Sequence, residues 1–176
     1  MNPPEPEDKH PAKRRPLRGL VTGVLLAGLF IALHAYQTRG VARGPAPEFQ
    51  GRLLGGEPVS MQDFRGRPVL LHFWATWCPV CGLQEGSVES IAQDYPVVTI
   101  ASWSEGEAAV KKYMHDNGLT FPVMLDDSGQ LARSFGLKGV PASFILSPSG
   151  EIAYVETGYT TEAGLRLRLW LSTVIE

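Results

Sequence analysis

Cys78 and Cys81 are the only cysteines in the chain, and just Pro79 and Val80 separate them. At that spacing the two sulfurs can join reversibly as a disulfide. A strand-like run, Val69-Leu70-Leu71-His72-Phe73-Trp74, leads into the pair, and Pro79 suits the first turn of a helix. Such a strand-turn-helix sets Cys78 at a helix N-terminus, where the peptide dipoles favour negative charge. The thiolate is the form of cysteine that attacks a disulfide, so the chemistry indicated is thiol–disulfide exchange.

Other uses of a C-x-x-C pair fit less well. A zinc site needs four ligands, and no second cysteine pair exists; of the histidines, only His72 and His115 fall in the candidate domain. Attachment of a c-type haem needs His directly after the second cysteine, where Gly82 stands. A structural staple closing so short a loop constrains little chain. A peroxiredoxin would carry Thr three residues before its reactive cysteine, whereas Thr76 is two before Cys78. Outside enzymology, the two sulfurs could hold a soft ion such as Cu(I) in a metal-stress binding protein.

The rest of the chain suggests where this dithiol works. The sequence has 176 residues and a net charge of −2, which gives no reason to expect nucleic acid as a partner. Lys9, Lys13, Arg14, Arg15 and Arg18 cluster ahead of residues 19–36, a stretch free of Asp, Glu, Lys and Arg. As a helix it would span about 27 Å at about 1.5 Å per residue, close to a bilayer's hydrocarbon thickness. It reads as an uncleaved membrane anchor or a signal peptide. Gly40 and Ala42 match a cleavage site only loosely, so the anchor is favoured. The basic flank then stays cytoplasmic. The rest faces the periplasm or its equivalent from a single-pass inner-membrane helix, where disulfides persist.

The segments follow from this. Residues 1–18 read as a cytoplasmic tail, 19–36 as the anchor, 37–48 as a Gly/Pro-rich linker and 49–176 as the folded domain. Within the domain, residues 49–54 and 57–60 flank Gly55-Gly56 as a small hairpin. A helix runs from the cysteines to about Asp94, and residues 97–101 form the next strand. Ser104 and Glu107 have capping-box spacing ahead of a helix that Asn117-Gly118 ends. Residues 122–125 read as a strand, 129–135 as a helix, and 142–146 with 152–155 as an antiparallel pair. Leu165, Leu167, Leu169 and Leu171 alternate as in a strand, yet Thr160-Thr161 can cap and Ala163, Arg166 and Arg168 favour helix. A helix is expected there. Strands alternating with helices indicate an α/β fold on one mixed sheet.

Phe73-Trp74-Ala75-Thr76-Trp77-Cys78-Pro79-Val80-Cys81 resembles the active-site stretch of thioredoxin-fold proteins, in particular the membrane-tethered TlpA/ResA-like branch and, within it, the ScsD-like (suppressor of copper sensitivity) disulfide oxidoreductases. Far along the chain, Gly139-Val140-Pro141-Ala142-Ser143-Phe144 resembles the family's cis-proline loop. Residues 117–123 are similar to the connection after the helix this branch inserts. The likeness covers about residues 49–170. It implies a mixed central sheet flanked by helices, an exposed Cys78 and a shielded Cys81.

The resemblance also implies roles. Cys78 attacks a substrate disulfide and Cys81 resolves the mixed disulfide, with no cofactor beyond the pair itself. Val140 and Pro141 receive the substrate's extended chain, and Trp77 shields the dithiol. Partners would be protein disulfides or dithiols and a membrane electron donor or acceptor. A cytochrome c maturation reductase, as some TlpA/ResA relatives are, is the competing enzyme. The sequence departs from its relatives at the proton acceptor. His72 stands where thioredoxins carry a buried acid, and Gln84, with Glu85 beside it, stands where ResA-like proteins carry Glu. His72 or Glu85 is therefore the expected acceptor of the Cys81 proton.

Overall fold

The computed structural model describes residues 15–38 and 40–174, so most of the expected cytoplasmic tail lies outside the described residues. The chain divides into two units, Met1–Gln37 and Thr38–Glu176. The first carries helix α1 (Arg15–Thr38), which takes in the last four residues expected in the tail. The membrane-spanning helix expected over residues 19–36 is not shown: among the described residues, no helix is long and apolar enough to cross a membrane.

The second unit runs β1 (Gly44–Pro45), β2 (Gln50–Arg52), β3 (Pro58–Ser60), a short 3-10 turn, β4 (Val69–Trp74), α2 (Pro79–Ala92), β5 (Val97–Ser102), α3 (Glu107–Asn117), β6 (Val123–Asp126), α4 (Gln130–Ser134), β7 (Ala142–Leu146), β8 (Glu151–Thr157) and α5 (Glu162–Val174). Six strands form one sheet in the order β1-β8-β7-β4-β5-β6, and β2 and β3 pair as the expected hairpin. Strand β4 sits inside the sheet, with all six residues buried. A strand covered on both faces has no solvent side, so its sequence is an apolar run rather than an alternation. It pairs in parallel with β5 and antiparallel with β7, which makes the sheet mixed.

Two apolar layers cover the sheet. On one face Phe73, Ile100 and Phe144 pack with Phe135 and with Val59 and Met61 around the hairpin. On the other, Leu70, Trp74 and Ile145 pack against Val88 and Ile91 of α2, Val110 of α3, and Leu165 and Leu169 of α5. The C-terminal segment is the expected helix. Leu165 and Leu169 lie one turn apart and are buried, whereas Leu167 is exposed, so the alternating leucines divide between two sides of a helix. Thr161 Oγ1 caps it by accepting the Gly164 N–H at 3.2 Å.

The structure corrects two local expectations. The stretch read as a linker over residues 37–48 is partly sheet: Gly44 and Pro45 pair with Ile152 and Glu151 at the edge, where a residue without an N–H is tolerated. The Ala42 N–H donates to the Phe135 carbonyl at 3.0 Å. Nearby, Gly136 has φ +72°, and the Gly40 backbone passes where its Cβ would stand, so only glycine fits there. The second correction concerns Ser104. Helix α3 begins at Glu107 with Gly106 as its N-cap, and Ser104 turns inward instead. Gly118 ends α3 in the left-handed conformation, as the Asn-Gly signal predicts.

Candidate active site

Strand β4 ends at Trp74, and α2 begins at Pro79 with Cys78 as its N-cap in extended backbone. The Cys78 Sγ accepts the Cys81 N–H at 3.2 Å. It does what a Ser or Asp oxygen does at other helix starts: it satisfies one of the orphan amides of the first turn. The two cysteines are joined as a disulfide with Cα atoms 5.3 Å apart. The expectation of an exposed Cys78 above a shielded Cys81 is not met in this state. Both are buried, at 5% and 2% exposure, because both belong to the apolar layer under α2.

Val140 and Pro141 face this sulfur from the far end of the sequence. Their peptide bond is cis, and the Val140 carbonyl oxygen lies 3.7 Å from the Cys78 Sγ. The Gly158 N–H holds the loop from β8 by donating to the Pro141 carbonyl at 2.8 Å. Trp77 is 58% exposed, but its Nε1–H donates to the Trp103 carbonyl at 2.8 Å. The ring is thus fixed in place and presented to solvent, and Val80 and Leu83 in the first turns of α2 are exposed as well. Trp77 stands next to Cys78 in the chain, at the start of the turn into α2.

The loop after β5 holds this arrangement. Ser104 Oγ accepts the Thr76 N–H at 3.2 Å and donates to the Ser102 carbonyl at the same distance. Trp103 and Glu105 have φ of 55° and 61°, a region that costs non-glycine residues free energy. Ser102 Oγ donates to Asp126 Oδ2 at 3.0 Å, and Asp126 in turn accepts the N–H groups at the start of α4. A hydrogen-bonded chain therefore runs from α4 to the residue before Trp77.

His72 is buried on the sheet face under α2, in register with Thr99 on β5 and Ser143 on β7. Its Nδ1 lies 3.0 Å from Ser143 Oγ. Burial pushes its pKa down to about 4, so at neutral pH the ring is uncharged. Glu85 is half-buried on α2 and accepts the Tyr113 hydroxyl proton at 2.9 Å. Burial, and then the hydrogen bond to Glu85, pushes Tyr113 up to about 12, so it stays a donor. The Tyr113 ring packs on Trp74, with centroids 5.4 Å apart. Gln84 points into the interior and is completely buried.

The sequence-predicted residues divide accordingly. Cys78, Cys81, Val140, Pro141 and Trp77 meet at one end of the sheet. His72 lies deeper on the face under α2, and Glu85 lies at its side. Sequence reasoning missed Ser104, Trp103 and Tyr113. Ser104 carried a signal that pointed elsewhere, to a cap, and nothing local marks Trp103 or Tyr113 as a neighbour of the cysteines.

Residues 42–155 match the AhpC/TSA family. The chain belongs to that family. Within it, the chain is similar to the thioredoxin-like protein YneN of Bacillus subtilis, 30% identical over 87% of this chain and 98% of that one. It is likewise 30% identical to the thiol-disulfide oxidoreductase ResA of Geobacillus thermodenitrificans, over 89% and 95%. Among solved structures, StoA from Bacillus subtilis superposes with a TM-score of 0.62 at 28% identity, covering 72% of this chain and 97% of its own. A thiol:disulfide interchange protein from Chlorobium tepidum gives 0.65 at 28%, covering 74% and 97%. This AhpC/TSA member has the thioredoxin fold, lies on the ResA-like side of the family, and is an enzyme of the thiol–disulfide oxidoreductase class.

Proposed function

We propose that the chain exchanges disulfides with exported proteins, Cys78 attacking and Cys81 resolving. One observation carries this reading: the Cys78 sulfur caps α2, accepting an amide hydrogen, and lies beside the cis Val140–Pro141 loop. When the disulfide is open, the same amide and the helix dipole favour the Cys78 thiolate. That thiolate attacks a partner disulfide, and the partner's leaving sulfur departs as a thiolate. Cys81 then loses its proton and attacks Cys78. The Cys78–Cys81 bond forms, the mixed disulfide breaks, and two electrons have passed to the partner. The reverse sequence oxidises a partner dithiol.

The partner's chain lies in extended form against Val140, with the exposed ring of Trp77 contacting its apolar side chains. Glu85 accepts the Cys81 proton. It lies one turn beyond Cys81 on α2 and is oriented by Tyr113, whereas His72 lies on β4 with its Nδ1 engaged by Ser143 Oγ. The domain is held on the extracytoplasmic face by residues 19–36 and draws on a membrane electron donor or acceptor; the charge-free run and its basic flank support this. The finer assignment, ScsD-like work under copper stress rather than cytochrome c maturation, rests on the resemblance around Cys78. Among the described residues, no cluster of three or more His, Cys, Asp or Glu side chains could hold a metal.

Trapping tests the proposal. Cys81→Ala removes the resolving sulfur, so the full chain should accumulate exported proteins as mixed disulfides on Cys78. Their identity separates the two roles: copper- or oxidation-exposed proteins support the first, and cytochrome precursors the second. If no adduct formed on Cys78 while wild-type protein failed to reduce an insulin-type disulfide, the exchange reading would fall.

A further inference from the structure

Gln84 is completely buried, and neither its Nε2 nor its Oε1 has a hydrogen-bond partner. Among the described residues, no other buried side-chain nitrogen or oxygen is left so. An interior amide in this condition destabilises the state in which it is found by more than a made hydrogen bond contributes. Such a group is explained if a partner is present in another state of the protein.

The position of Gln84 identifies that partner. Cys81 and Gln84 are three residues apart on α2, and both are on its buried face. Residues at this spacing are neighbours, with Cβ atoms about 5–6 Å apart. Helical side chains lean toward the N-terminus, so Gln84 covers the turn that carries Cys81. In the disulfide, the Cys81 sulfur has no proton to donate and is bonded to Cys78. When a partner dithiol supplies two electrons, the S–S bond breaks and the partner becomes the disulfide; of its two protons one stays on Cys81 as a thiol and the other passes to solvent, leaving Cys78 as the thiolate. Cys81, still buried, then carries an S–H that needs an acceptor. During resolution it becomes a thiolate that needs a donor. One amide offers both, Oε1 accepting and Nε2 donating. An ionised carboxylate could only accept, and an aliphatic side chain could do neither.

We propose that Gln84 is a redox-linked partner of Cys81: its amide is unpaired while the disulfide is closed and hydrogen-bonds the Cys81 sulfur once it opens. This rests on the exchange chemistry proposed above. The consequence is that Gln84 favours the reduced form over the disulfide, making the pair a stronger oxidant than the same dithiol over an apolar residue. Two other buried polar groups on this face of the sheet have partners of their own. His72 is engaged with Ser143, and Trp74 Nε1 donates to Thr99 Oγ1 at 3.1 Å.

The test is the equilibrium of the full chain with a glutathione redox buffer, compared with that of Gln84→Leu. The variant should shift by about three- to tenfold toward the disulfide, the size of one hydrogen bond. An unchanged constant, or a shift toward the dithiol, would overturn the inference. Should the variant fail to fold, wild-type protein labelled with nitrogen-15 decides. The Gln84 side-chain amide protons should move in the NMR spectrum and exchange more slowly with solvent on reduction, and an amide signal indifferent to redox state overturns it. A wild-type chain that does not equilibrate with glutathione at all sinks the exchange reading itself. Normal wild-type exchange with an unresponsive Gln84 sinks only this inference.

Discussion

The two faces of the central sheet have opposite characters. On the face toward the hairpin, Leu71, Phe73, Val98, Ile100, Phe144 and Leu146 form an apolar layer, and Phe73, Phe135 and Phe144 close on one another with ring centroids 4.8–5.7 Å apart. On the face toward α2, a row of polar residues crosses three strands, Ser143-His72-Thr99, and α2 itself adds the buried Gln84. Burying polar groups stabilises less than burying apolar ones of the same size. The chain carries that cost across the middle of the face where a sulfur must gain and lose protons; on the other face the buried polar pair, Ser102 and Asp126, stands at the ends of β5 and β6, where Asp126 accepts the first N–H groups of α4. The apolar face holds the fold; the polar face supports the chemistry.

Substitutions on each face can break or sharpen this division. Phe144→Ala should have the largest effect, about 3–5 kcal/mol of lost stability in denaturant unfolding, because it opens a cavity among three aromatic rings. It should leave the equilibrium with glutathione where it was; a shift as large as that expected for Gln84→Leu would mean the faces are not separable.

His72 gives a pH effect. Its folded-state pKa of about 4 lies below the ordinary 6.5, so the unfolded chain binds more protons between those values. Its contribution to stability is therefore complete above about pH 6.5, declines as pH falls, and is gone below about pH 4. His72→Leu should flatten that decline in pH-dependent unfolding, and an unaltered slope would remove His72 as its source. Ser104→Ala should have the smallest effect, on the order of 1–3 kcal/mol, by leaving the half-buried Thr76 N–H without its acceptor. Its signature would be slower exchange with protein substrates and unchanged packing of the apolar face.

Much of this was legible in the residues. The apolar run of β4, the C-x-x-C spacing and Pro79 define a strand-turn-helix, because each depends on local patterning. Pro141 beside Cys78 was accessible only by resemblance, since 60 or more residues and a whole sheet crossing separate them. The Ser104 misreading is instructive. Ser and Glu at capping spacing fit a helix start, but Gly106 is the residue that can take φ of 91°, so the helix starts after it and frees Ser104 to hold Thr76. The burial of Cys78 was illegible for another reason, since the Val140 carbonyl against its sulfur comes from the far end of the chain. Gly44 and Pro45 read as linker because two-residue edge strands have no pattern of their own.

The central claim is that the Cys78 sulfur, as the cap of α2, is held as a reactive anion when the disulfide opens. The most direct measurement is the pH dependence of Cys78 alkylation in the reduced full chain. A midpoint well below the value of about 8.5 of a free cysteine is the predicted result, and a midpoint at or above it would contradict the account.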